Sequence, residues 1–213
     1  MSDLDYWEKQ APLYDRAMRF VSRPLSRAID LTVGAVKGSE RVLEVAAGTG
    51  LITVAIAKVS KDVIATDYAG AMVNLLQRRV QQTGLSNVRC ERADLYALRF
   101  NAGSFDAVIA ANVLHLVPDL AAALAALRHV LRPGGRLVVP TFCHDETILS
   151  AIVSRVISLT GFPAHRRFTA RSLRQALESA GLRVQHAETL PGIIPIGYAD
   201  GVFVDDDQLS TDR

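Results

Sequence analysis

One stretch of this 213-residue chain restricts its fold more than any other: Val42-Leu43-Glu44-Val45-Ala46-Ala47-Gly48-Thr49-Gly50. A short apolar run passes into a turn of small residues, and an apolar helix is expected from near Leu51. Small residues in such a turn let the backbone approach a ligand closely, and a helix start presents free N–H groups. Seventeen residues past Gly50, at the end of the next apolar run, stands Asp67. A carboxylate at that place accepts hydrogen bonds from the two hydroxyls of a ribose. The two features together point to an adenosine-containing cofactor.

The alternation continues along the middle of the chain. Strand-like runs are expected at 41–45, 62–66, 87–90, 105–110 and 136–139, with 184–187 and 201–204 as the last two. Leu120, Leu124, Leu127 and Leu131 share one helical face, Asp119 is the N-cap, and Pro133-Gly134-Gly135 closes that helix. The Ala-rich run 120–127 reads as a buried helix. Met72, Leu76 and Val80 form another stripe closed by Gly84; Thr169 caps a helix carrying Leu173, Leu177 and Ala180, closed by Gly181. Apolar strands alternating with helices argue for a parallel sheet covered on both faces, a single doubly wound α/β domain. Segment 3–36, interrupted at Ser22-Arg23-Pro24, and segment 142–168, helical over 147–159, fall outside the alternation and are candidates for a small helical cap over the carboxyl ends of the strands. The expected division is a cap at 1–36, a cofactor-binding core at 37–141, a cap insertion at 142–168, a C-terminal helix and strands at 169–204, and a tail at 205–213.

Composition removes several classes. Apolar residues make up 49% and charged ones 22%, which excludes a disordered chain. A net charge of +2 does not suggest a general nucleic-acid binder. No apolar run approaches the roughly 18 residues of a membrane span, and residues 1–10 carry acids rather than a signal-peptide pattern. Cys90 and Cys143 lie far apart with no Cys-x-x-Cys spacing, so neither a disulfide framework nor a metal site is expected and the cytoplasm is the expected compartment. A nicotinamide dinucleotide is disfavoured, because Thr53 holds the third glycine position of Gly-x-Gly-x-x-Gly. Glu44, four residues before Gly48, repels a pyrophosphate and suits a cationic ligand.

Glu44 to Gly50 resembles motif I of the class I S-adenosylmethionine-dependent methyltransferases, written acidic-x-Gly-x-Gly-x-Gly, with Ala46 in place of the first glycine. The later features follow in the family's order: Ala65-Thr66-Asp67-Tyr68-Ala69-Gly70-Ala71-Met72, then Asp94-Leu95, then Ser104-Phe105-Asp106-Ala107-Val108, Asn112-Val113-Leu114-His115 and Leu131-Arg132-Pro133-Gly134-Gly135. The resemblance implies a Rossmann-like, seven-stranded, mostly parallel sheet with its last strand antiparallel. It implies S-adenosylmethionine as cofactor, S-adenosylhomocysteine as product, and a methyl group passed to a nucleophile. By the same resemblance, backbone at Ala46, Gly48 and Gly50 passes the methionine part and ribose. Glu44 sits near the methionine amino group and Asp67 binds the ribose. Tyr68 and Met72 line the adenine, Asp94 accepts from its amino group beside Leu95, and Asn112 lines the methionine end.

Each role has a plainer alternative. Met72 is also a core residue by its stripe, and Asp94 a turn cap. Tyr14, in a Leu13-Tyr14-Asp15 sequence similar to one common in quinone and lipid methyltransferases, either closes over the cofactor or packs an N-terminal helix. His115 and His144 follow the fourth and fifth strands on the acceptor side and are the candidate catalytic residues; the alternative is loop histidines. A phenol or hydroxyl acceptor calls for one of them as base, whereas a neutral amine or thiolate needs none. Arg16, Arg19, Arg23 and Arg27 make a basic N-terminal edge for an anionic membrane or a solvated face. Arg166, Arg167, Arg171 and Arg174 make a second cluster in or beside the cap, either to receive an anionic acceptor such as a phosphate or carboxylate or again as a solvated face. Asn112-Val113-Leu114-His115 stands where nucleic-acid amino-methylating enzymes carry Asn-Pro-Pro-Tyr, so no nucleic acid is expected; the Ile, Val, Leu and Phe of the cap point to a small apolar or amphipathic acceptor, with a phospholipid headgroup or quinone precursor at a membrane as the alternative. A non-catalytic cofactor-binding partner is the reading of another class. Oligomeric state is not legible.

Overall fold

Runs of Val, Ile and Ala with both faces apolar pair side by side, and the helices between them cover the faces. In the computed structural model, which describes residues 2–20 and 22–204, seven strands among the described residues form one sheet in the order β3-β2-β1-β4-β5-β7-β6. The strands are β1 (Arg41–Val45), β2 (Asp62–Asp67), β3 (Val88–Arg92), β4 (Phe105–Ala110), β5 (Leu131–Phe142), β6 (Leu182–Leu190) and β7 (Ile196–Phe203). β1 to β5 pair in parallel, and β7 is antiparallel to both β5 and β6. The order reverses between β1 and β4, which opens a crevice at their carboxyl ends, the usual place for a ligand in such sheets.

The period-two alternation of the strands divides the core. Leu43, Val45, Val108 and Ala110 face α5 (Leu120–Val130) and α7 (Ala170–Ser179), meeting Leu124, Leu127, Leu173 and Leu177. Val42, Ala107 and Ile109 face the opposite way, onto α2 (Ser22–Val36) and the four-residue α3 (Thr53–Ile56) through Ala28, Val36 and Ile56. The other helices are α1 (Asp3–Phe20), α4 (Gly70–Gln82) and α6 (Ile148–Ser158). Asp119 and Thr169 cap α5 and α7 as expected, and a Thr147–Ser150 capping box opens α6.

Several expectations are corrected. β5 begins at Leu131, so Pro133-Gly134-Gly135 lies inside a strand rather than closing α5. α5 buries one face only; its Ala121, Ala122 and Ala125 are exposed. β7 starts five residues before the expected 201. The break between α1 and α2 falls at position 21, outside the described residues, and Pro24 sits in the first turn of α2, where its missing N–H costs no helical bond. α2 packs beneath the sheet, so only α1 of the N-terminal segment lies over the strand ends. The side chains of Arg19 and Arg23, and the tail 205–213, lie outside the described residues. No helix among the described residues is long and apolar enough to cross a membrane.

Candidate active site

The turn after β1 is tied to β2 by its backbone. Ala47 N–H donates to the Thr66 carbonyl at 2.8 Å, and Gly48 N–H donates to Asp67 Oδ2 at 2.8 Å. Ala69 N–H donates to the other carboxylate oxygen at 2.9 Å. Burial raises the Asp67 pKa while these backbone bonds pull it down, and each oxygen keeps lone-pair capacity for a ligand. Asp67 lines a cavity of about 280 Å³ that also touches Ala46, Gly48, Tyr68, Met72, Asp94, Leu95 and Asn112. Ala46 and Asn112 both have φ of +51° in that wall. A left-handed conformation costs a residue with a Cβ roughly 1–2 kcal/mol, and Asn tolerates it best. Strain concentrated at two cavity residues is what a ligand-shaped turn produces.

Met72 and Asp94 each serve the fold and also face the cavity. Met72 is 2% exposed within an apolar cluster and still faces the cavity. Asp94 accepts the Tyr96 N–H at 2.9 Å, capping the single 3-10 turn Leu95–Ala97, and lines the cavity too. Tyr14 closes over the turn, its ring 3.6 Å from where a Gly48 Cβ would sit. Burial, then the charges of Asp67, Asp15 and Glu44, push its phenol up to about 12.

Two motif residues stand apart from the cavity. Gly50 does not line it: at φ +84° a Cβ there would come 2.5 Å from Leu76 Cδ1, so this glycine serves the packing of α4. Glu44 is 1% exposed and lies behind the turn, beside a much smaller hollow shared with Tyr14 and Asn112. Thr53 Oγ1 donates to its Oε2 at 2.5 Å. Burial pushes the carboxyl up to about 8 against that bond, with the Asp67 charge adding to the rise. A cationic ligand nearby would reverse much of that shift.

His115 and His144 lie under the cap rather than on the cavity wall. They are 1% and 4% exposed, with ring centroids 5.0 Å apart. Phe162 stacks on His115 at 6.0 Å. Both His115 ring nitrogens and His144 Nε2 have no hydrogen-bond partner among the described residues, nor has Asn112 Oδ1. His144 Nδ1 is 2.6 Å from Ser154 Oγ. Burial, helped by His144, lowers His115 to about 3; burial, then Arg167, lowers His144 to about 4.

The largest contribution that the sequence did not disclose comes from α1. Asp3 and Trp7 join Tyr14 in the cavity wall, and Trp7 meets Phe162 of the second cap segment at 6.0 Å. Glu8 accepts the N–H groups of Gly70 and Ala71 at 2.7 and 2.9 Å, capping α4 from another helix. Asp15 accepts from Thr49 Oγ1 at 2.5 Å and pairs with Arg79. No local motif marks these roles; the acids of α1 read as ordinary surface charges.

Residues 42–135 match the methyltransferase domain family. The chain is 37% identical over 139 residues to a demethylmenaquinone methyltransferase of Thermus thermophilus, covering 62% of each. It is 33% identical over 176 residues to the demethylmenaquinone methyltransferase of Clavibacter sepedonicus, covering 81% of this chain and 68% of that protein. Among solved structures, the YcgJ protein of Bacillus subtilis superposes with a TM-score of 0.72 at 17% identity, covering 84% of this chain and 99% of that one, a likeness of fold. The fold and cradle are those of a Rossmann-like nucleoside-binding protein; with these relatives beside them, the chain belongs to the class I S-adenosylmethionine-dependent methyltransferases. It spans 52% to 62% of the length of three of the curated relatives it matches.

Proposed function

We propose that this protein transfers a methyl group from S-adenosylmethionine to a small apolar or amphipathic acceptor. The observation that carries the reading is the single cavity in which Asp67, Asp94 and the strained turn at Ala46–Gly48 face apolar residues, among them Trp7, Val113, Leu116 and Val117. One end offers carboxylates to a nucleoside, and the other offers an apolar wall. The unpartnered Asn112 Oδ1 fits a ligand donor at the junction.

When bound, the cofactor supplies an electrophilic methyl group on a sulfonium. The chain's part is to position and to exclude water. Asp67 and Asp94 orient the nucleoside. Glu44 stands ready as counter-charge to a cation, and α1 with Phe162 shields the site. Positioning of this kind contributes up to about 7–11 kcal/mol. His115 and His144 belong to the acceptor side of the same reading. Both rings are held neutral, and a ring held near 3 or 4 is a weak proton acceptor at neutral pH. That disfavours abstraction of a proton, which departs from the expectation of a base; with both rings beneath the cap, they hold a polar acceptor group by hydrogen bonds only once the cap moves.

The names of the relatives favour an aromatic, quinone-precursor acceptor within this class. The free thiols of Cys90 and Cys143 suit the reducing cytoplasm proposed as its setting. The test is a transfer assay with methyl-labelled S-adenosylmethionine over quinol precursors, phospholipids, phenols, amines and thiols. Label in an extractable aromatic or amphipathic product is expected. Cofactor binding with no transfer to any class would leave a non-catalytic binding protein.

A further inference from the structure

Helix α6 is apolar on both its inner and its outer side. At 3.6 residues per turn, Ile148, Ile152, Val156 and Leu159 fall on one side with Leu149 at its edge, while Ser150 and Ser154 fall opposite. The aliphatic side faces outward: Ile148 is 83% exposed, Leu149 57%, Ile152 53%, Val156 60% and Leu159 86%. The opposite side faces inward: Ser150 is at 0% and Ser154 at 5%, with Val153 and Ile157 packed on the core beside them. A helix on a water-facing surface carries polar residues on its outer side. Five adjoining aliphatic side chains turned outward mark a face that something covers.

We infer that the outer face of α6 rests on an anionic lipid surface. The first argument is charge. From Thr147 to Leu177 the sequence carries five arginines and no acidic residue, although the whole chain nets only +2. Arg155 projects from α6 beside Ile148 and Leu159, and Arg167 and Arg171 follow in the next segment. None of these three forms an ion pair among the described residues. Arg155 stands among the outward aliphatic side chains by helical spacing, and an unpaired arginine amid such side chains, in an acid-free stretch, matches a headgroup layer over acyl chains. The second argument is area. Eleven residues make α6 about 16 Å long and about 10 Å wide, a strip far smaller than the ~800 Å² per partner of a standard protein interface. A lipid surface needs no more than such a strip, seated about 5–10 Å into the headgroup boundary. The N-terminal basic edge is a poorer candidate: Arg27 is engaged with Glu188 at 3.2 Å. This inference stands apart from the methyl-transfer reading, because it requires neither cofactor nor acceptor.

The experiment is co-sedimentation of the whole chain with vesicles of phosphatidylcholine, with and without about a third phosphatidylglycerol. Binding is expected to the anionic vesicles and to weaken as salt is raised, since exposed charges are screened. The double variant Ile152→Ser/Val156→Ser is expected to lose at least about tenfold in vesicle affinity, because its apolar insertion is gone. Arg155→Gln/Arg171→Gln is expected to lose roughly fivefold per charge on anionic vesicles only. All four positions are exposed, and an unchanged melting temperature checks that the variants fold. Absence of wild-type sedimentation, or serine variants that bind as well as wild type, overturns the inference. So does a dimer in analytical ultracentrifugation that the serine pair dissociates, since a second copy would then cover the face.

Discussion

Glu44 and His115 are buried ionisable groups shifted in opposite directions, and together they set a pH profile. Glu44 is raised from 4.5 to about 8, so the fold favours its protonated form. Its contribution to stability is complete below about 4.5 and is lost as pH rises through about 8. His115 is lowered from 6.5 to about 3, so the unfolded chain takes up that proton first. Its contribution is complete above about 6.5 and is lost as pH falls towards 3. The two slopes oppose each other between about 4.5 and 6.5. Chemical unfolding at a series of pH values is expected to show Glu44→Gln holding its stability between about pH 6.5 and 8, where wild type declines. Parallel curves would count against a buried, protonated Glu44. Gly50→Ala is a second test at this scale. Left-handed backbone and a 2.5 Å approach to Leu76 are expected to cost about 1–3 kcal/mol, read as a lowered melting temperature.

Among the elements, α1 joins the N-terminal segment to the site. It caps α4 through Glu8, clamps the glycine turn through Asp15, and meets Phe162 through Trp7. Glu8→Ala is expected to destabilise by about 0.5–2 kcal/mol, the range of a lost cap, and to speed proteolysis within α1. S-adenosylhomocysteine is expected to slow that proteolysis in wild type by engaging Tyr14. Equal cleavage with and without ligand would place α1 outside the site's closure. None of these contacts was legible in the sequence, because each joins residues more than thirty positions apart. The early strands were legible because apolar alternation and flanking turns are local. β7 was legible only over its last residues, 201–203, because Gly197 and Asp200 break the pattern of its earlier part; pairing with β5 and β6 defines that part. α6 was legible as an apolar helix, but not that its apolar side faces out, since periodicity gives the stripe and not its direction.

Over the whole molecule, the strand-end residues that line the cavity were legible and the burial of the two histidines was not. Asp67, Asp94 and Asn112 stand at strand ends, where chain order alone brings them to one crevice. His115 and His144 also follow strand ends, yet the cap buries them beside Phe162, and burial is a property of the assembled molecule. With a true acceptor in hand, the pH–rate profiles of His115→Ala and His144→Ala separate the roles. Positioning predicts a raised KM with the pH profile unchanged, whereas loss of a pH-dependent limb would restore one of them as a base.

The central claim, that the cavity walled by the β1 turn is an S-adenosylmethionine site held by Asp67, is tested most directly by calorimetric titration with S-adenosylhomocysteine. The chain is expected to bind one equivalent. Asp67→Ala, with its fold verified by circular dichroism, is expected to bind more weakly by roughly 1–3 kcal/mol through lost charge-assisted hydrogen bonds. Failure of the wild-type chain to bind, or wild-type affinity in Asp67→Ala, would contradict the account.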